Sequence, residues 1–230
     1  AVIVDQSSHQ KKVIFHPDML PQIVIADPAL TAGLPANITA ATGIDAFVHS
    51  FEAYCAPGYH PMAEGIALES MRLIKNWLPE ACQNGTNLTA RSHMMAASSM
   101  GATAFQKGLG AVHALAHPLG GLFDAHHGLL NAILFPYVLQ HNRPVIEQKI
   151  THLSKVLGLQ NESFNGFFDW LILLRKELNI PENLKSIGIS DDRRDEVGEL
   201  ATLDSCAAGN PITFTAKQYS QIFAEAVNGQ

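Results

Sequence analysis

From Thr39 to Val227 the apolar residues of this chain recur at three- and four-residue steps, and that period excludes most folds before anything else is considered. Such spacing lines one face of a helix, whereas a half-buried strand needs alternation by two. The helical pattern runs through Ala40–Tyr54, Met62–Leu78, Leu88–Phe105 and Leu129–Leu139. It resumes in Val145–Leu157, Phe164–Leu178, Asp191–Cys206 and Thr215–Val227. Breaks are expected at Pro57-Gly58, Asn84-Gly85, Gly108–Gly110, Pro118–Gly121 and Asn142–Pro144. Met94–Ala104 is apolar on more than one face, which predicts a place at the centre of a bundle.

The first thirty residues follow another rule. Val2–Val4, Lys12–Phe15 and Gln22–Ala26 are β-branched runs between polar and Pro-containing turns, and they read as short strands. Three such strands do not bury a face of their own. The expectation is therefore mainly α: a helical bundle over residues 37–230, with a β-rich segment over 1–36 that packs on it or belongs to something further. A hydrophobic fraction of 47% in 230 residues supplies a core without disulfides. The formal charge of −6 argues against nonspecific nucleic-acid binding. No uncharged apolar run reaches membrane-spanning length, and the first 27 residues lack the order of a secretory signal. Three cysteines without a CxxC pair fit a reducing, cytoplasmic setting.

Chemistry concentrates at the histidines. Asp45 and His49 stand four apart, as do His113 and His117, and residues four apart on a helix share a face. Apolar neighbours flank both pairs, so their polar faces need a partner. His126-His127-Gly128 opens the following helix. One carboxylate and several imidazoles suit Fe or Zn better than Ca²⁺ or Mg²⁺. A single histidine pair is more often packing or decoration; two pairs with a third cluster favour a metal site. HExxH, GxSxG and P-loop motifs are absent. The residues alone leave several functions open, among them a metal-dependent hydrolase on an all-α scaffold and a non-catalytic helical domain.

Longer motifs separate them. The stretch from Thr42-Gly43-Ile44-Asp45 through His49-Ser50-Phe51-Glu52-Ala53-Tyr54 resembles a signature of the iron-containing (group III) alcohol dehydrogenases. So does the block from Gly108-Leu109-Gly110 through His113 and His117-Pro118-Leu119-Gly120 to His127-Gly128 and Asn131-Ala132-Ile133. Asp27-Pro28-Ala29-Leu30-Thr31 is similar to the lead-in, and Gly209-Asn210-Pro211 to the closing motif. The resemblance implies the C-terminal helical domain of the iron-containing alcohol dehydrogenase and dehydroquinate synthase-like fold. It implies hydride transfer between a small alcohol or aldehyde and NAD or NADP, with Fe²⁺, or alternatively Zn²⁺, polarising the substrate oxygen.

Carried over residue by residue, the implied metal ligands are Asp45, His49, His113 and His127, with His126 standing where the family commonly has proline. His117 is the implied catalytic residue, near the nicotinamide, and Lys11 and Leu30 are the other implied cofactor contacts. Phe51 and Phe105 are the expected walls of the pocket. The resemblance further implies a homo-oligomer and an N-terminal nucleotide-binding domain whose last strands are residues 1–36. Without that domain the chain is expected to be inactive.

Overall fold

The computed structural model describes residues 2–5, 10–14 and 16–229, with side chains from His16 onward and at Ile3 and Ile14. It opens with an antiparallel hairpin of β1 (Val2–Asp5) and β2 (Gln10–Val13), in which Val2 pairs Val13 and Val4 pairs Lys11. Phe15, at the end of the second expected strand, lies outside the described residues. The third run, Gln22–Ala26, is not a strand: it is an exposed segment with no ladder. β-Branched residues favour extended backbone, but a strand exists only where a neighbour takes its N–H and C=O groups. A short 3-10 turn at Pro28–Thr31 then leads into the helices.

Among the described residues, eight α-helices follow. They are α1 (Ala36–Cys55), α2 (Pro61–Gln83), α3 (Leu88–Ala104), α4 (Ala111–Phe123), α5 (His127–Val156), α6 (Phe164–Glu177), α7 (Arg194–Leu203) and α8 (Ala216–Asn228). Side chains of the preceding residue cap several of them: His60 accepts from Ala63 N, Asn87 from Ala90 N, and Ser163 from Gly166 N. Thr215 and Gln218 form a reciprocal capping box on α8. Asp195 and Glu196 sit in the first turn of α7, where acids favour the positive end of the helix.

α1 packs against α2, α3 and α5, and it forms the axis of the bundle with α5. Phe47 and Phe51 of α1 meet Phe135 of α5 and Phe167 of α6, with ring centroids 4.7–6.5 Å apart. All four rings are buried. Each stabilises the fold by roughly 1.5–3 kcal/mol relative to exposure.

Three expectations need correction. α4 does not stop after His117 but continues through Pro118 to Phe123. α5 likewise runs unbroken through Pro136 and Pro144, so Asn142–Pro144 is no boundary. A proline removes one i to i−4 bond at a cost of about 3 kcal/mol. Burial of Leu115 and Leu119 around Pro118 offsets that loss, and the carbonyl freed by Pro144 belongs to the exposed Gln140. The third correction concerns α3, which lies at the edge rather than the centre. Its Met94, Met95 and Met100 are half-buried while Ser98 and Ser99 are exposed. Alanine and methionine raise the apolar count, but the outward positions carry no bulky side chain that needs cover.

Candidate metal centre

The site grows from three short-range spacings. Asp45, His49 and Glu52 stand at i, i+4 and i+7 on α1; His113 and His117 at i and i+4 on α4; His127 and Asn131 at i and i+4 on α5. Each set shares one face of its helix. Gly128 allows the start of α5 to approach α1, because a Cβ there would stand 2.8 Å from the Ala41 carbonyl oxygen. That contact sets His127 beside Asp45.

The Asp45 Oδ1 atom is the meeting point. It lies 3.6 Å from His113 Nε2, and 3.9 Å from both His49 Nε2 and His127 Nε2. The His113 side chain is 1% exposed, against 16% for Asp45, 21% for His49 and 30% for His127, so the cluster opens on the His127 side. Burial by itself would raise the Asp45 carboxyl. His113, 3.6 Å away, and the fields of His49 and His127 outweigh it and hold the group well below its ordinary value. Burial pushes His49 down, only partly offset by Asp45. For His113 burial acts downward too, but Glu52 and Asp45 together push it up to about 9.

Glu52 organises the floor. Its Oε2 accepts from Gly110 N at 2.8 Å and from His113 Nδ1 at 2.7 Å, and its Oε1 accepts from Val112 N at 2.8 Å. A Cβ on Gly110 would meet that carboxylate at 2.9 Å, hence the glycine. One carboxylate thus caps the first N–H groups of α4 and directs the His113 Nε2 lone pair inward. Asn210 completes the cap by accepting from Ala111 N at 3.1 Å, and it exchanges two hydrogen bonds with the buried Asn142 of α5. Gly209-Asn210-Pro211 therefore ties the far end of the chain to the start of α4.

His117 stands beside the cluster, its ring stacked on His127 with centroids 5.4 Å apart. Its Nδ1 donates to Asp204 Oδ2 at 2.8 Å, so Nε2 is the free acceptor. Burial would raise Asp204, but His117 holds it below its usual value. The Cys206 thiol is pushed up, first by burial and then by Asp204.

The donor set fits a divalent cation. A tetrahedral ion with bonds near 2.0–2.1 Å separates its donors by about 3.4 Å; Asp45, His113 and His127 offer atoms within 4.8 Å of one another, and His49 Nε2 stands 3.9 Å from Asp45 Oδ1 outside that group. With the His113 proton on Nδ1 toward Glu52, a carboxylate oxygen and imidazole nitrogens face inward, and Asn131 answers them: Nδ2 donates to Asp45 and lies 3.1 Å and 3.2 Å from the Nε2 atoms of His113 and His127. The other end of that amide, Oδ1, is buried without a hydrogen-bond partner. An amide N–H₂ pointed at a carboxylate and two imidazoles occupies the place of a positive charge.

The remaining expectations divide. His126 caps α5 by accepting from Leu129 N at 3.3 Å and is exposed, leaving His127 as the residue near Asp45. Phe105 lies against His49, centroids 5.2 Å apart, whereas Phe51 faces the core on the opposite side of α1 and does not line the site. Leu30 is exposed in the turn before α1. Lys11 belongs to β2, which packs against α4; its side chain lies outside the described residues. A cavity of about 240 Å³ between Thr31, Thr39, Arg91 and Ser98 includes none of the clustered histidines. Sequence spacing assigns no role to Glu52, Asn131, Asp204 or Asn210, although Glu52, Asn131 and Asn210 stand in the motifs of the resemblance. The i+7 and i+4 spacings could have drawn in Glu52 and Asn131, but Asp204 is 87 residues from His117 and has no local signal.

Comparison with known proteins gives the family. The C-terminal model of the Fe-containing alcohol dehydrogenase family matches residues 39–227. The chain is 37% identical to 4-hydroxybutyrate dehydrogenase of Cupriavidus necator, across 94% of this chain and 59% of that protein. It is 34% identical to 1,3-propanediol dehydrogenase of Citrobacter freundii, across 98% and 60%. A crystal structure of 1,3-propanediol oxidoreductase superposes with a TM-score of 0.93 at 33% identity, covering 98% of this chain and 61% of that one. This chain belongs to the Fe-containing alcohol dehydrogenase family. It spans about three-fifths of the length of the relatives it matches.

Proposed function

We propose that this chain, as a member of that family, is the metal-binding part of an NAD(P)-dependent alcohol dehydrogenase acting on a small alcohol or aldehyde. The observation that carries the reading is the convergence of Asp45, His113 and His127, with His49 Nε2 3.9 Å from the same Asp45 oxygen. These four would hold Fe²⁺, with Zn²⁺ as the alternative. A divalent ion there supplies Lewis-acid polarisation of the alcohol or carbonyl oxygen. His117 takes the alcohol proton at Nε2, while Asp204 holds Nδ1–H and so keeps the ring in the accepting tautomer. Glu52 keeps His113 aimed at the ion. Phe105 shields the His49 side from water.

In this reading residues 1–36 belong to a nucleotide-binding domain, and Lys11 and Leu30 touch the dinucleotide at its junction with the helices. NAD or NADP bound there would supply the hydride acceptor or donor for the substrate carbon. Dinucleotide binding requires a phosphate-binding turn, which the resemblance assigns to the rest of a longer protein. The 230 residues alone are therefore expected to turn over little substrate, and the active protein to be a cytoplasmic homo-oligomer.

The test is anaerobic titration with Fe²⁺, read as heat and as a shift in melting temperature. One tight equivalent, lost in His113→Ala, is the expected result. Absence of binding, or an affinity unchanged in His113→Ala, overturns the assignment.

A further inference from the structure

Beside the histidine cluster stands a second group of donors that the reaction outlined above does not need as a metal site. His117, Asp204 and Cys206 each offer one atom, and the three atoms lie within 4.8 Å of one another. We propose that they form a second metal site, selective for a thiolate-preferring divalent ion such as Zn²⁺, whose occupation removes His117 from its hydrogen bond with Asp204.

The group is built on fixed elements. His117 belongs to α4, and Asp204 and Cys206 stand two apart in the turn that follows α7. Asp204 Oδ1 accepts from Cys206 N at 2.8 Å, which folds the turn so that carboxylate and thiol share a side. α4 packs against α7, so the turn is held over His117. All three side chains are largely buried. Bond lengths of 2.0–2.3 Å put nitrogen, oxygen and sulfur donors about 3.3–3.8 Å apart around zinc. His117 Nδ1 and Asp204 Oδ2, 2.8 Å apart, must therefore open by about 0.5 Å, and the wider spacings, at most 4.8 Å, must close by up to about 1.5 Å.

Charge favours a cation here. Among the described residues Asp204 pairs with His117, and no lysine or arginine forms an ion pair with it. With neutral imidazole and neutral thiol the trio carries one negative charge. A divalent ion compensates both that charge and the thiolate left when Cys206 releases its proton to solvent, while the His117 Nδ1 proton exchanges through solvent to Nε2 so that Nδ1 can bind. Three protein donors leave a fourth position for water.

The sulfur distinguishes the two sites. Asp45, His49, His113 and His127 offer nitrogen and oxygen only, a set that accepts iron or zinc. A thiolate biases the second set toward zinc. The two sites are close, since the His117 and His127 rings stack at 5.4 Å, but they share no ligand. Zinc at the second site would depress whatever proton transfer His117 performs. That consequence rests on the dehydrogenase reading, whereas binding itself does not.

Co²⁺ titration of the chain separates these claims, since a thiolate ligand adds a charge-transfer band in the near ultraviolet that nitrogen and oxygen ligands lack. The expected result is two equivalents by equilibrium dialysis, one of them carrying the band. Cys206→Ser should lose the band and one equivalent while keeping the other. His113→Ala should keep the band. If Cys206→Ser melts well below the parent, Asp204→Asn carries the same test and should also lose the band-bearing equivalent. A titration without the band, or a band that survives in Cys206→Ser, overturns the second site even when the first binds as expected. Loss of only the first site leaves the second standing and overturns the dehydrogenase ligand set instead.

Discussion

Along α1, Phe47 and Phe51 face Phe135 and Phe167, while Asp45, His49 and Glu52, interleaved with them in sequence, face α4 and the start of α5. The first face is held by area removed from water, a term without direction that tolerates any packing of the right volume. On the second face almost every group has a specific partner at 2.7–3.9 Å. Both faces belong to one helix of twenty residues. What differs is which neighbour each meets, and therefore whether burial is itself stabilising or has to be compensated by a hydrogen bond or charge.

The largest effect should come from the apolar face. Phe47→Ala empties the centre of the aromatic cluster and should cost about 3–5 kcal/mol, seen as a lower denaturant midpoint. The chain that remains folded should bind Fe²⁺ with unchanged affinity. A mutant that loses metal affinity as well would show that the two faces are not separable.

Glu52→Gln tests the other face. The amide turns an N–H₂ group toward Gly110 N, Val112 N or His113 Nδ1, all donors to the carboxylate. A stability loss of about 1–3 kcal/mol is expected, with a fall in metal affinity of roughly 10–100-fold. Unchanged affinity at reduced stability would reduce Glu52 to a helix cap.

Glu64 offers a polar contact outside the site. Its Oε1 pairs with Lys107 at 2.7 Å and Lys149 at 2.9 Å, and Lys149 also donates to the Tyr54 carbonyl. Burial would raise the Glu64 carboxyl, but the two lysines outweigh it and hold it below its usual value. A depressed carboxylate contributes stability above its unfolded value of about 4.3 and loses it as pH falls through the lower folded value. Urea melts should therefore show Glu64→Gln less stable than the parent by a constant margin from neutral pH down to about 5. The gap should close below about pH 4. A gap that widens on acidification would contradict the sign.

The smallest effect belongs to the segment before the helices. Ile25 is 86% exposed, against 1% for Phe47, although both are large apolar residues. Ile25→Ser should change the stability of this chain by less than about 0.5 kcal/mol. A larger loss would mean that the segment packs on the bundle after all.

The amino-acid sequence by itself determined what is local. Apolar spacing specified α1, α2, α3, α6, α7 and α8 closely, and four-residue steps placed Asp45 with His49 and His113 with His117. Long ordered motifs carried the family. Spacing could not say that α4 and α5 continue through their prolines, because the compensation comes from burial against other helices and from water at Gln140. Nor could it say that Gln22–Ala26 would have no partner, or that α3 would lie at the edge. Only the tertiary structure joined Glu52 to His113, Asp204 to His117 and Asn210 to the start of α4, across 61, 87 and 99 residues of chain. The helical period tells which side chains share a face. Which faces meet is decided by the packing of the whole core, and the partners of a buried polar group are known only once that packing is complete.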